Sequence, residues 1–280
     1  MMTLLLMVGC ASSVDDDPGH DPSLKCNGHE ALCDRAVNAV AFAGAHNIMS
    51  SAEREWLAPN HLVAMPQQMQ NGVRGLNMDV YNVDGVLMLC HGYCELGSQP
   101  LSEGLREVDV FLQEHPNEVF MITFQSSVDV QLMNDAFVES GLQEHVYAHE
   151  LGTPWPSLRT LIDSQSQVVV FSSEGGGTEG WYHAQWDWWF DNPYSATSVD
   201  DFSCDVDRGE ITNDLFNVNH FLTNPIGMQE FAEEVNFNPV LRDHVFRCQD
   251  ETGRLPNQVL VDFASIGDLI SVVDELNQVD

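Results

Sequence analysis

The sequence predicts an α/β fold, a (β/α)8 barrel of the TIM type, and three observations carry that expectation. Eight short apolar runs recur along the chain, at residues 39–44, 73–80, 86–90, 118–124, 168–172, 185–190, 215–221 and 258–263. Stretches of helical periodicity fall between most of them, at 62–71, 101–115, 131–140, 156–164, 228–235, 238–247 and 266–277, the alternation that builds a parallel sheet. A length of 280 residues suits a single barrel of this kind.

Residues 1–9, MMTLLLMVG, form a short apolar run directly before Cys10, and the following ASSVDDDPGHDPS is polar and rich in turn formers. The pattern is similar to a bacterial lipoprotein signal with Val8, Gly9 and Cys10 at its small-residue positions. It departs from that pattern at Met7, where leucine is usual, and in having no basic residue before the run. The expectation is an exported chain, anchored through a lipidated Cys10 or secreted. Residues 1–25 would serve as signal and tether and 26–280 as one domain. A membrane-spanning helix needs about 20 apolar residues, and no segment supplies them.

Six cysteines remain after Cys10, an even set in a chain that reads as exported, which is what a disulfide framework requires. The expected pairs are Cys26 with Cys33 and Cys90 with Cys94, by proximity, and Cys204 with Cys248, by elimination. Zinc is disfavoured, because no C-x-x-C pair is present.

The first run, AVAFAGAHN, ends at His46 and Asn47. The second places Asn77 and Asp79 two residues apart, so strand alternation points both to one face. His91 follows the third run, and Gln125 closes the fourth. In an α/β barrel the C-terminal strand ends carry the active residues, so all of these fall at one mouth. Two imidazoles facing each other suit acid–base cleavage, since their ordinary pKa of about 6.5 lets them take and give protons near neutrality. Near the end of the seventh run, Asn219 and His220 either line the pocket or, for the histidine, sit satisfied in the core. Asp262, near the end of the eighth, either orients His46 or caps a loop. Ser102, Ser157 and Asn238 are the expected helix starts.

The sixth run lies in WYHAQWDWWFDNPY, which reads equally as an aromatic loop. Its Trp181, Trp186, Trp188 and Trp189 are either a membrane-interface or ring-stacking surface or barrel packing. Gly175 to Gly177 form a loop with neither phosphate-binding glycine motif.

Acidic residues number 43 against 10 basic, a net charge of −33, with Lys25 the sole lysine. That surface excludes nucleic acid as an expected partner and repels an anionic membrane. Two readings of the charge stay open: a saline habitat, where the Debye length shrinks to about 3 Å at 1 M salt, or solubility through self-repulsion.

His46-Asn47 after a buried strand, then G-V-R-G-L-N-M-D at 72–79 and L-C-H-G at 89–92, resemble the X region of phosphatidylinositol-specific phospholipase C. The likeness is strongest to the secreted phospholipase C-like phosphodiesterases. It continues in order through HPNEVFMITFQ, WPSLRTLI, QVVVFSSEG, LFNVNHF and NQVLVDFAS, from about residue 37 to 268. The resemblance implies a phosphoric diester hydrolase on a phospholipid or inositol phosphodiester, working peripherally at a membrane. The inositol 2-hydroxyl would attack phosphorus while His46 and His91 share the proton transfers, His91 serving the leaving oxygen. It also implies a cation. Asp79 stands where a metal-free branch has arginine, so calcium is expected, held by Asn47, Asn77, Asp79 and Gln125; the other reading is that the amides tie a metal-free site together by hydrogen bonds. The calcium pattern has one amide and additional glutamates, and amides in their place imply a weak site. Arg74 is the alternative cation. With no lysine-rich set near the mouth, an unphosphorylated ring is favoured. The competing readings are a glycerophosphodiesterase or sphingomyelinase-D-like barrel, disfavoured because His46-Asn47-Ile48 replaces His-Arg-Gly, and a barrel that binds a surface ligand without turnover.

Overall fold

The computed structural model describes residues 24–177, 179–224 and 226–279. The expected leader and Cys10 lie outside the described residues. The sheet begins with β1 (Phe42–Ala45) and β2 (Gly75–Val83), continues through β3 (Val86–Cys90), β4 (Ser98–Pro100), β5 (Phe120–Gln125) and β6 (Val146–Tyr147), and ends with β7 (Val168–Ser172), β8 (Tyr182–Ala184), β9 (Trp189–Asp191), β10 (Leu215–Asn219) and β11 (Gln258–Val261). Eight of these run parallel in the order β8-β7-β5-β2-β1-β11-β10-β9, a TIM-type α/β barrel. The ladder stays open between β8 and β9 among the described residues. The two-residue β6 shares the β8 edge of β7.

Two strand expectations are corrected. Residues 86–90 are not a barrel strand: β3 pairs antiparallel with the far half of β2, Val80 opposite Leu89 through Val83 opposite Val86, and with β4. The Asp84-Gly85 turn makes this a hairpin, because both residues have positive φ, 51° and 89°, as a tight two-residue turn requires. The expected sixth strand, 185–190, begins as a turn of 3-10 helix at Gln185–Asp187 and overlaps only β9, while β8 lies just before it and restores the count of eight.

Outside the sheet lie α1 (Met65–Gln70), α2 (Leu101–Glu114), α3 (Val130–Ser140), α4 (Leu158–Asp163), α5 (Gln229–Val235), α6 (Val240–Thr252) and α7 (Leu269–Asn277). Ser157 caps α4, its hydroxyl accepting from Thr160 N at 3.2 Å, as expected. Ser102 lies inside α2, whose first turn follows Pro100, and α6 starts after Pro239 rather than at Asn238. No described helix is long and apolar enough to cross a membrane. Cys26–Cys33, Cys90–Cys94 and Cys204–Cys248 are bonded as expected.

Strand alternation divides the side chains sharply. Outward residues such as Leu76, Met78, Ile122 and Phe124 pack on α1 to α3, and Ala43, Val218, Val259 and Val261 on α6 and α7. Inward residues change character along the axis. Phe42, Met121, Val169, Trp189 and Leu215 fill the bottom, closed by Val37, Val40 and Leu158, whereas Asn77, Thr123, Asp191, Asn217 and Gln258 face each other above them. Gly75 of the G-V-R-G run is needed here, since a Cβ would lie 2.9 Å from the Gln258 side chain that crosses the barrel. The polar upper half therefore turns hydrogen-bonding groups toward the mouth.

Candidate active site at the barrel mouth

The mouth holds a cavity of about 360 Å³ lined by His46, Asn77, Gln125, Asp191, Arg208 and Phe221 among others. His46 leaves β1 with its amide donating to Val261 O at 2.9 Å, and Asn47 turns the chain in a left-handed conformation, φ 52°, which asparagine tolerates. His46 Nδ1 lies 2.9 Å from Asp262 Oδ1, while Asn47 Nδ2 lies 3.2 Å from Nε2. With Nδ1–H donated to the carboxylate, Nε2 is the free base, and the Asn47 amide donates to it. Phe221 stacks on the ring at 4.1 Å between centroids. Asp262 also accepts from Asn60 Nδ2 at 2.9 Å, and His61 Nε2 donates to His46 O at 2.7 Å. Burial pushes His61 down to about 4, so it supports the turn as a neutral ring.

His91 is carried to the same place by the hairpin, at the end of β3 in the loop pinned by Cys90–Cys94. The two imidazole centroids are 6.3 Å apart at 73°, a gap that one phosphoryl group can bridge with hydrogen bonds of about 2.8 Å to each ring. Desolvation at the mouth, and then the His46 charge, hold His91 below its usual value.

Asn77 and Asp79 stand opposite Thr123 and Gln125 in the β2–β5 register, so all four point inward, as alternation predicts. Asn77 Oδ1 accepts from Asn47 N at 3.2 Å and its Nδ2 donates to Thr123 Oγ1 at 3.3 Å. Burial raises the Asp79 carboxyl to about 6; His46 draws it down and Glu174 pushes it further up. No described lysine or arginine pairs with Asp79. Asn47 is 1% exposed, yet its Oδ1 has no hydrogen-bond partner. The orphaned Asn47 oxygen, the Asp79 carboxylate and the Asn77 and Gln125 amides are hard oxygen donors of the kind calcium accepts, although Asn77 Oδ1 already accepts from Asn47 N.

Arg74 is not brought to the site. It precedes β2 at the closed end, where Nε donates to Glu118 at 2.8 Å, Nη1 to Met69 O and Val73 O, and the guanidinium lies over Phe111 and Phe120. A catalytic role for Arg74 is therefore withdrawn. Of the two readings of the tryptophans, packing holds for most: Trp188 and Trp189 are buried and Trp181 packs on Phe137, while Trp186 lines the cavity. His220 is a core residue, its Nε2 donating to Val235 O at 2.9 Å and Phe202 stacked against it, whereas Asn219 does line the cavity.

Several site residues escaped the sequence reading. Asp191 ends β9 buried and ion-paired with Arg208, whose guanidinium sits over Trp186 at 4.5 Å and Tyr194 at 4.3 Å. Burial raises the Asp191 carboxyl, and Arg208 opposes the rise. Asn219 Nδ2 donates to Asp191 at 3.1 Å and Asn217 Nδ2 to Asn219 Oδ1 at 2.8 Å, so this wall presents a chained row of donors and acceptors. Arg208 comes from a loop with no periodic signal. Asn60 and His61 lie in a similarly irregular stretch.

A family model, PI-PLC X, matches residues 32–277. A PI-PLC X domain-containing protein of Arthroderma benhamiae is 30% identical over 276 residues, covering 91% of this chain and 90% of that protein. A PI-PLC X domain-containing protein of Arabidopsis thaliana is 27% identical over 269 residues, covering 86% of this chain and 62% of that one. An uncharacterized secreted protein of A. benhamiae is 24% identical, covering 96% of this chain and 67% of its own length. Among solved structures, the phosphatidylinositol-specific phospholipase C of Staphylococcus aureus superposes with a TM-score of 0.61 at 12% identity, covering 89% of this chain and 95% of that one.

Proposed function

The chain belongs to the PI-PLC X domain family, and from that premise we propose that it is an exported phosphoric diester hydrolase that cleaves phosphatidylinositol or a related inositol phosphodiester. The observation that carries the reading is the pair His46 and His91, 6.3 Å apart at the barrel mouth, with His46 lining the cavity and oriented by Asp262. His46 Nε2 takes the proton of the ring hydroxyl that attacks phosphorus. His91 gives a proton to the glycerol oxygen as its bond to phosphorus breaks. Transfers of this kind contribute about a hundred- to ten-thousandfold each. The wall of Asp191, Arg208, Asn217 and Asn219 supports recognition of the other ring hydroxyls, which both donate and accept. The Asp191–Arg208 pair is neutral as a unit, which favours a ring without extra phosphates.

Asn47, Asn77, Asp79 and Gln125 would hold calcium. When bound there, the ion neutralises charge on the phosphoryl oxygens. A site rich in amides matches the dissociation constants of about 10⁻⁴ to 10⁻³ M typical of extracellular calcium modules. Leu57, Tyr93 and Leu96, exposed at 64%, 73% and 39%, support contact with a bilayer, since Leu57 N donates to Leu96 O in the loop region beside His91. The net charge of −33 favours a zwitterionic surface or high salt for that contact.

The test is release of soluble inositol phosphate from phosphatidylinositol dispersed in a zwitterionic lipid, with calcium and with chelator. Turnover that needs calcium supports both halves of the reading. Turnover unaffected by chelator removes the ion, and no turnover of any inositol phosphodiester favours a ligand-binding barrel instead.

A further inference from the structure

The family pattern for a calcium site has more carboxylates than the four residues named above provide, with Asp79 the sole acid among them. We infer that Glu174, from the loop after β7, supplies a second carboxylate, so that the cation is held across the four neighbouring strands β7, β5, β2 and β1. This inference rests on the calcium reading of the same site.

Glu174 lines the catalytic cavity together with Asn77 and Gln125, and it lines the adjoining cavity together with Gln125 and Tyr81. The side chain is exposed, and no described residue forms an ion pair with it. Asp79 on β2 and Glu174 after β7 are both acidic, and a divalent ion bound by both would offset their repulsion. The buried Asn47 Oδ1, which lacks a partner on an amide that touches His46 Nε2, is an independent sign that a ligand belongs there.

The loop that carries Glu174 is built to hold one position. Ser173 N donates to Phe124 O at 2.9 Å and Trp186 Nε1 to Ser173 O at 3.0 Å. Gly175 N donates to Ser172 Oγ at 3.2 Å, and Ser172 Oγ in turn to Ser126 O at 3.2 Å. Gly176 has φ +91° and passes so close to His183 that a Cβ would lie 2.6 Å from its carbonyl oxygen. The Gly175–Gly177 stretch, unassigned in the sequence, thus has a physical role: it lets the chain turn tightly over β8 and fixes the residue before it. Calcium accepts side chains from separate strands because its coordination is flexible in angle and number.

The test is calcium titration of the full chain, freed of metal with chelator, by isothermal calorimetry without substrate. Glu174→Gln, Asp79→Asn and, as a charge control on the same loop, Glu179→Gln are compared with the parent, each checked for an unchanged melting temperature in chelator. The expected result is one site in the parent, at least tenfold weaker in Glu174→Gln and in Asp79→Asn, with Glu179→Gln changing affinity less than twofold. Glu174→Gln binding as tightly as the parent while Asp79→Asn does not would overturn the role of Glu174 and leave the calcium reading intact. Equal weakening in Glu174→Gln and Glu179→Gln would reduce Glu174 to general surface charge and also overturn it. A parent that takes up no calcium would overturn the calcium reading itself.

Discussion

His46 is fixed on every side that matters to a base: Asp262 at Nδ1, the Asn47 amide at Nε2, Phe221 on its face and His61 at its carbonyl. Asp262→Asn should therefore lower kcat by roughly a hundredfold or more while leaving the melting temperature nearly unchanged, because the amide can favour the wrong imidazole tautomer. Steady-state kinetics beside a melting curve checks this, and an equal loss of stability would point to a structural role. The titrations at the mouth set the pH response. His91 must carry a proton to serve the leaving oxygen, and its pKa is lowered, so that limb is lost as pH rises through a value below 6.5. Asp79 must be ionised to favour a cation, which is gained as pH rises through about 6. The profile of kcat/KM should thus be bell-shaped with its maximum on the acid side of neutrality; a plateau extending to about pH 8 would contradict these assignments. At this scale the sequence was informative wherever a residue sat on a strand. His46, Asn77, Asp79 and Asp262 follow from alternation and strand ends, whereas Arg208 and Glu174 come from loops whose path no local pattern encodes.

The hairpin of β2, β3 and β4 is the element that brings His91 to the mouth. Reading 86–90 as a barrel strand missed the Asp84-Gly85 turn, a signal present in the sequence and outweighed by the count of apolar runs. The residue placement survived because both topologies put His91 at the same end. Trp56 packs against Gly97, where a Cβ would lie 2.3 Å from the indole, and Cys90–Cys94 closes the loop between. A loop of sequence separation 4 constrains the unfolded chain little. Cys90→Ser with Cys94→Ser should then shift the melting temperature by no more than a few degrees yet reduce kcat/KM about tenfold or more, through a loosened His91. Unchanged activity in the double variant would remove that role from the disulfide. The expected sixth strand was legible only as an apolar aromatic run, because β8 and β9 are three residues each and Trp188 and Trp189 between and within them are buried by tertiary packing.

Across the whole molecule, protonation sets the stability. Burial holds His61 and His220 down at about 4 and His244 at about 3, so each binds protons in the unfolded chain before the folded one. Stability contributed by these neutral rings is complete above pH 6.5 and is lost as pH falls toward 4, by several kcal/mol in total. Asp79 and Asp191, whose carboxyls are raised, oppose this only in part. The melting temperature should drop steeply between about pH 6.5 and 4, and His244→Gln should flatten that slope. Net charge adds a second dependence: self-repulsion at −33 is screened by salt, so the melting temperature should rise between about 0.1 and 1 M sodium chloride. The barrel, its disulfides and its mouth were legible from apolar spacing and cysteine parity, while the open β8–β9 edge was not, since ladder closure depends on chain paths far apart in sequence.

The most direct measurement is inositol phosphate release by the parent chain, His46→Ala and His91→Ala under identical lipid, calcium and pH. Two facing imidazoles acting on one phosphodiester require each single variant to lose at least about a hundredfold in kcat with the fold intact. Parent-like turnover in either variant would contradict the central claim.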